Sequence, residues 1–129
     1  MKTIGLIKLA VTILAVLAVS SDRPPQCPCR PGCYTARVKR WVDGDTVVVD
    51  VDLGFDVRLV DQRMRLLGVD TPERGEPGHL EAAEFSASLC PMDMNILIRP
   101  RGKGKYGRWL VDLECNSINL NEQLKAKGW

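Results

Sequence analysis

Three carboxylates stand near the ends of two predicted strands. Asp45 begins one strand, and Asp70 and Glu73 follow the next strand along the chain. Carboxylates at adjacent strand ends can converge, and carboxylate and carbonyl oxygens are hard donors that suit calcium or magnesium better than soft metals. The sequence therefore predicts a site for a hard divalent cation, with Glu73 as the remaining carboxylate that could take a proton from water.

Two arginines could hold a phosphate beside these carboxylates. Arg65 lies on the predicted strand that precedes Asp70, and Arg108 ends a segment rich in Gly and Lys at residues 102–108. An arginine stays charged and can bind two phosphate oxygens at once. Two arginines that flank a divalent cation would form a site for a phosphodiester.

Each of these motifs also has an ordinary structural interpretation. Asp-Gly-Asp is common in turns, and Asp-Thr-Pro-Glu could simply cap the segment that follows. Five basic residues within ten positions could form a solubilising loop; they are Arg99, Arg101, Lys103, Lys105 and Arg108. Taken singly, none of these motifs establishes a function.

The histidine and two tryptophans are predicted to be structural. His79, the only histidine, lies beside a predicted helix start, so we expect it at the surface and expect no histidine-based catalysis. Trp41 and Trp109 lie in predicted strands, where tryptophan is more often in the core or half-buried than a platform for base stacking.

Five strands must position the carboxylates and the arginines. The first two are separated by Asp43-Gly44, a strong hairpin signal, and residues 52–62 are predicted to form a longer hairpin tip. The predicted strands cover residues 37–42, 46–51, 63–69, 96–99 and 109–115.

Two helices complete the predicted fold. Residues 77–89 have apolar residues at a helical period, which Pro91 stops. Asn119 and Glu122 form a capping-box arrangement before residues 120–127. This order of elements predicts a mainly β, α+β fold: a five-stranded barrel of the oligonucleotide/oligosaccharide-binding (OB) type with two helices.

The first 20 residues are typical of a secretory signal peptide. Lys2 and Lys8 give a basic start to an apolar run that is too short to span a membrane and ends in small residues. We therefore expect a signal peptide at residues 1–20, a Pro- and Cys-rich arm at 21–33 and a globular domain at 34–129. The protein would be secreted or periplasmic, without stable membrane association after cleavage.

Removal of the predicted signal peptide would leave a chain without net charge. The chain has 18 Lys and Arg against 16 Asp and Glu, so removal of Lys2 and Lys8 makes the net charge zero. Only local basic patches can then favour binding of nucleic acid.

The oxidising compartment that export implies favours disulfides, but the sequence does not choose among the possible pairings of the five cysteines. Cys27, Cys29 and Cys33 lack a fourth ligand at zinc spacing, so they are expected to staple the arm rather than bind zinc.

Four motifs taken together resemble the thermonuclease (micrococcal or staphylococcal nuclease) family, in the family's order, from about residue 36 to residue 129. They are Asp-Gly-Asp-Thr at 43–46, Arg-Leu-Leu-Gly-Val-Asp-Thr-Pro-Glu at 65–73, Lys-Tyr-Gly-Arg at 105–108 and Asn-Glu-Gln-Leu at 121–124. The resemblance implies a calcium-dependent nuclease on an OB barrel that cuts DNA and RNA and leaves 3′-phosphate ends.

The resemblance also implies a role for eight residues in calcium binding, catalysis or nucleotide contact. The calcium ligands would be Asp45, Asp70 and the backbone carbonyl of Thr71. The catalytic residues would be Arg65 and Arg108, which hold the scissile phosphate, and Glu73, the general base or water orienter. The nucleotide contacts would be Lys105 and Tyr106.

A competing hypothesis is a non-catalytic nucleic-acid-binding OB module. The full set of acid, base and arginines favours the enzyme, which we expect to be a monomer.

Overall fold

The computed structural model describes residues 32–129, which contain six strands and two helices. The predicted signal peptide and all but the end of the predicted arm lie outside the described residues. The elements are β1 (Tyr34–Asp43), β2 (Thr46–Asp52), β3 (Arg58–Leu66), α1 (His79–Leu89), β4 (Asn95–Lys103), β5 (Trp109–Cys115), β6 (Ile118–Asn119) and α2 (Leu120–Ala126).

Five of the strands close into a barrel. Neighbouring strands follow the order β3-β2-β1-β4-β5, and an additional pairing of β3 with β5 closes the sheet. This closing pair is parallel and short, with Arg65 opposite Leu110, whereas the other pairings are antiparallel. The predicted five-stranded OB-type barrel with two helices is therefore confirmed.

Alternating apolar side chains fill the barrel. In β5, Val111, Leu113 and Cys115 are buried while the residues between them are more exposed, which is the two-residue period of a strand with one face inward. Leu120 and Leu124 of α2 lie one helical turn apart and pack against the same core. α2 thus contributes two side chains to the core of the barrel.

The first hairpin and the third strand differ from their predicted bounds. The two residues between β1 and β2 are Gly44 and Asp45, one position later than predicted. β3 begins at Arg58 and not at residue 63, because its early part pairs with β2 across a bulge. At that bulge Asp61 takes a φ of 54°, and its N–H donates to Asp50 Oδ1 at 2.9 Å. This side-chain hydrogen bond supports strand pairing in a segment that was predicted to belong to the hairpin tip.

The two helices begin in different ways, because only α2 has a side-chain cap. α1 starts after Gly78, whose φ is 86°, and so excludes Pro77 from the predicted helix. α2 starts after Asn119, whose side chain accepts the N–H of Glu122 at 3.1 Å, which confirms the predicted cap.

A disulfide joins Cys90, just after α1, to Cys115 at the end of β5. Cys33 forms no disulfide with another residue in the range 32–129, while Cys27 and Cys29 lie outside it. Within that range, no helix is long and apolar enough to cross a membrane.

Candidate active site

Asp45 lies where the β1–β2 turn meets the end of β3. Its side chain is 5% exposed, and its Oδ2 accepts the N–H of Thr71 at 3.2 Å. Its Oδ1 accepts the hydroxyl of Thr46 at 3.0 Å, and its carbonyl accepts the N–H of Leu66 at 2.8 Å. These bonds fix a buried carboxylate against the segment that follows β3.

Arg65 lies between the two predicted carboxylate ligands. Its Nη2 is 3.2 Å from Asp45 Oδ2 and 3.2 Å from Asp70 Oδ1. The β2–β3 register explains the first contact, because Arg65 pairs with Thr46, the neighbour of Asp45. The structure therefore brings Asp45, Asp70 and Arg65 into one cluster, although 92% of the Asp70 side chain is exposed.

Thr71 completes the buried side of this cluster. The residue is 4% exposed, and its Oγ1 is a buried polar atom without a hydrogen-bond partner among the described residues. Leaving such a group unsatisfied costs about 1–3 kcal/mol. The Thr71 hydroxyl therefore has capacity for a hydrogen bond that no described residue supplies.

The donor chemistry of this cluster fits a hard cation. Asp45, Asp70 and Thr71 offer carboxylate, hydroxyl and carbonyl oxygens, which calcium prefers. Residues 32–129 contain no group of three or more His, Cys, Asp or Glu side chains that could hold a metal. Water and substrate oxygens would have to complete the shell, which suits calcium because it accepts irregular shells of six to eight oxygens.

The β4–β5 hairpin carries the second group of predicted residues to the same edge of the barrel. Arg65, Lys105, Tyr106 and Arg108 line one cleft of about 340 Å³, together with Gly104 and Leu110. The parallel β3–β5 pairing places Arg65 opposite Leu110, two residues after Arg108. The Tyr106 ring is 82% exposed, and the guanidinium carbon of Arg108 lies 5.8 Å from its centroid.

Glu73 lies on an exposed turn after the cluster. Its N–H donates to Glu76 Oε2 at 2.9 Å, and its carbonyl accepts the N–H of Glu76 at 2.9 Å. Among the described residues, no hydrogen bond or ion pair joins the Glu73 carboxylate to Arg65 or Asp45. The structure brings the other seven predicted residues into two adjoining groups, but it leaves the carboxylate of Glu73 facing solvent.

The prediction that His79 lies at the surface is wrong. The side chain is 12% exposed, and its Nε2 lies 2.9 Å from Asp43 Oδ1. Position at a helix start suggested exposure, but the first turn of α1 packs on the β1–β2 turn.

The two tryptophans of the strands differ from one another. Trp41 is half-buried, as predicted, and its Nε1 donates to the carbonyl of Cys90 at 2.8 Å. Trp109 is 37% exposed and lines an apolar cleft of about 350 Å³, with Lys103 Nζ 5.0 Å from its ring centroid. It is thus at the barrel surface rather than in the core.

Asn121 is a buried residue to which the sequence analysis gave no role of its own. Its Oδ1 accepts the N–H of Leu113 at 3.0 Å, and its Nδ2 donates to the carbonyls of Leu67 and Val111, each at 3.0 Å. It therefore ties α2 to β5 and to the segment between β3 and Asp70. Asn121 precedes the core residue Leu124 by three positions and so shares its helix face, which is the sequence signal that could have identified it.

Known proteins match the chain across this barrel. A thermonuclease of Staphylococcus intermedius is 30% identical over 138 aligned positions, which cover 98% of this chain and 77% of that protein. A thermonuclease of Staphylococcus hyicus is 32% identical over 73% of this chain and 56% of its own length. A probable staphylococcal-like nuclease of Oryza sativa subsp. japonica is 29% identical over 58% of this chain and 22% of its own length.

The family model described as staphylococcal nuclease homologue matches residues 63–129, which include Arg65, Asp70, the β4–β5 hairpin and α2. This match covers more than half of the chain, includes three of the four motifs and agrees with the closed barrel. The chain therefore belongs to the family of staphylococcal nuclease homologues.

Proposed function

We propose that this protein is a calcium-dependent nuclease that hydrolyses phosphodiester bonds of DNA and RNA and leaves 3′-phosphate ends. The observation that carries the proposal is the position of Arg65, which contacts Asp45 and Asp70 and also lines the cleft with Arg108. One side chain thus connects a carboxylate pair with a cationic cleft. The names of the two staphylococcal relatives support the same function.

The two arginines are proposed to hold the scissile phosphate. Their planar guanidinium groups can each donate two hydrogen bonds to phosphate oxygens. They also stabilise the negative charge that builds on the phosphate oxygens in the transition state, which is the largest single contribution in many enzymes. Lys105 and Tyr106 extend the cleft and are proposed to contact the neighbouring nucleotide.

The carboxylates of Asp45 and Asp70 and the carbonyl of Thr71 are proposed to hold calcium. When bound there, calcium supplies positive charge near a phosphate oxygen and favours ionisation of a nearby water. Asp45 is held by the Thr71 N–H and by the Thr46 hydroxyl, so its carboxylate is oriented before any cation arrives. Preorganisation of this kind lowers the cost of reaching the reactive geometry.

Glu73 is proposed to accept the proton of the attacking water. Its carboxylate is exposed and forms no ion pair with the described residues, so it is free to act as a base. The hydrogen bonds to Glu76 fix the backbone of Glu73. Its carboxylate would therefore reach the attacking water by rotation of the side chain alone.

We also propose export and monomeric action. The signal-like residues 1–20 and the disulfide between Cys90 and Cys115 both suit an oxidising compartment. All side chains of the cluster and the cleft come from one chain, which supports a monomeric enzyme.

The test is cleavage of plasmid DNA and of RNA by the oxidised protein, with calcium or with excess chelator. We expect cleavage with calcium and none with chelator. A 3′-phosphatase should remove the terminal phosphate from the products. Asp45→Asn should abolish cleavage, while Asp56→Asn at the exposed hairpin tip should not. Binding of nucleic acid without cleavage in calcium would favour the non-catalytic module instead, and full cleavage in chelator would refute the metal role.

A further inference from the structure

We propose that Ser86 of α1 is a positioning residue that holds the Asp43–Asp45 turn and thereby orients the carboxylate of Asp45. The effect on catalysis rests on the proposed function, whereas the effect on the turn does not. No residue of α1 belongs to the predicted site, so this role adds a further structural element to it.

The first observation is a short, fully buried hydrogen bond. The Ser86 hydroxyl donates to the carbonyl of Gly44 at 2.6 Å, and the serine is 0% exposed. Gly44 immediately precedes Asp45. A buried carbonyl that loses its donor retains an unsatisfied acceptor, so the turn and the helix are strongly coupled at this point.

The second observation is the close packing of Gly44 on the same helix. A Cβ atom added at Gly44 would lie 2.8 Å from Ala82 Cβ and 2.9 Å from Thr71 Cγ2. These distances are too short for real carbon atoms, so only glycine lets the turn approach α1 and Thr71 this closely. The turn is therefore pressed between the helix and the residue whose N–H binds Asp45.

The third observation is that one face of α1 makes all the contacts. His79, Ala82 and Ser86 have the spacing i, i+3 and i+7, which places them on a single helix face. His79 Nε2 contacts Asp43 Oδ1 at 2.9 Å, Ala82 packs on Gly44, and Ser86 binds its carbonyl. This face fixes the two residues before Asp45.

Movement of the turn would reach the site directly. The backbone of Asp45 is bonded to Leu66 of β3, and its Oδ2 meets both Thr71 and Arg65 at 3.2 Å. A shift of Gly44 must change at least one of these contacts, because Thr71 and Arg65 belong to other parts of the fold and do not move with the turn. Misplacement of a catalytic group by about 1 Å can reduce the rate by roughly 10².

The experiment compares Ser86→Ala with Ser86→Thr, which keeps a hydroxyl, and with two controls. Ser88→Ala removes a hydroxyl from the same helix that bonds only to the carbonyl of Phe85. Ile98→Val perturbs the buried core away from the turn. Hydrogen exchange of the Thr71 amide, the calcium Kd by calorimetry, and KM and kcat separately are measured well below the melting temperature.

Ser86→Ala should speed exchange of the Thr71 amide and raise the calcium Kd by about three- to tenfold, as expected for loss of one hydrogen bond. The kcat should fall with little change in KM. Ser86→Thr, which keeps a hydroxyl, should recover the wild-type calcium Kd and kcat. Ile98→Val should lower the melting temperature without these changes, and Ser88→Ala should change none of them.

Equal Thr71 exchange in Ser86→Ala and in the two controls would overturn the positioning role. If the wild type neither binds calcium nor cleaves DNA, the proposed function fails, yet the exchange of Thr71 still decides the role of Ser86. If Ser86→Ala does not fold, Gly44→Ala supplies the same test, because its added Cβ pushes the turn away from α1; unchanged Thr71 exchange in that variant would also overturn the proposal.

Discussion

The Nη2 nitrogen of Arg65 lies 3.2 Å from the Oδ2 oxygen of Asp45, the same oxygen that accepts the N–H of Thr71. A guanidinium in this place neutralises a carboxylate that is almost completely buried, and a buried carboxylate without a partner would be costly. Arg65 and a divalent cation would therefore compete for one oxygen. When a cation takes that oxygen, Arg65 becomes available to a phosphate in the adjoining cleft.

Arg65→Ala should separate these two functions. Removal of the competing positive charge should lower the calcium Kd, while loss of the phosphate contact should reduce kcat by about 10² or more. Calorimetry and initial rates on single-stranded DNA measure the two effects. Arg63→Ala, on the same strand with an exposed side chain, is the control and should change neither; a weaker calcium affinity in Arg65→Ala would contradict the competition.

Arg65→Lys and Arg108→Lys should each impair catalysis although the charge is kept. A lysine ammonium cannot form the planar pair of hydrogen bonds that an arginine gives to phosphate. Steady-state kinetics should show a lower kcat in both variants, with Arg101→Lys as a control in the same basic segment. Full activity of both lysine variants would show that the site needs only the positive charge of these residues and not the planar guanidinium group.

Glu73→Gln should reduce turnover by about 10² with little change in substrate binding, because a general base typically contributes this factor. The measurement is kcat against pH, together with the Kd of an uncleaved oligonucleotide. Glu84→Gln, an exposed carboxylate on α1, should behave like the wild type. Wild-type turnover in Glu73→Gln would exclude this residue as the base.

Loss of the Cys90–Cys115 bridge should lower the free energy of unfolding by about 3–4 kcal/mol, the chain-entropy value for a loop of this size. The two cysteines are 25 residues apart in the sequence. Denaturant unfolding of the Cys90→Ser/Cys115→Ser variant measures the loss, with Cys33→Ser as the control. The same stability with and without reductant would show that the bridge does not constrain the unfolded chain.

Asp50 should make stability depend on pH in the acid range. The hydrogen bond from the Asp61 N–H, together with Lys39 and Arg58, lowers the pKa of Asp50 below its usual 3.8, against the opposing effect of burial. Because the pKa is lower in the folded state, the stabilisation is complete above pH 3.8 and is lost as the pH falls through the folded pKa.

The corresponding variant is Asp50→Asn. It should lower stability at pH 7, by less than about 1 kcal/mol for a partly exposed ion pair, and this deficit should shrink as the pH falls below 3.8. Thermal melts across this range test it, with Asp56→Asn as the neutral control. A deficit that persists undiminished at pH 2 would assign the effect to something other than charge.

The sequence predicted the parts of the fold that local patterns determine. β5 was predicted at residues 109–115, and the structure has the same bounds, with Val111, Leu113 and Cys115 buried in alternation with more exposed positions. The cap at Asn119 followed from a short-range motif that needs no tertiary information. The early part of β3 was missed, since Asp61 adopts a positive φ only with the support of Asp50.

The candidate site was predictable in its residue types but not in its contacts. Motif spacing identified Asp45, Arg65 and Asp70, but nothing local indicates that the arginine bridges both carboxylates in the free protein. The pairing of His79 with Asp43 and the bond from Ser86 to Gly44 join residues more than 35 positions apart. Such contacts depend on how α1 packs, and a single sequence does not specify that packing.

The barrel is closed by only three residue pairs between β3 and β5, and these strands are distant in sequence. Long-range pairings form slowly because loop-closure entropy must be overcome before the contacts can stabilise the chain. During synthesis β3 is complete well before β5 appears, so Arg65 exists for a time without Arg108 beside it. The pair of arginines proposed to hold the phosphate is therefore among the last features to assemble, and a nascent or interrupted chain carries Asp45 and Asp70 without the proposed phosphate site.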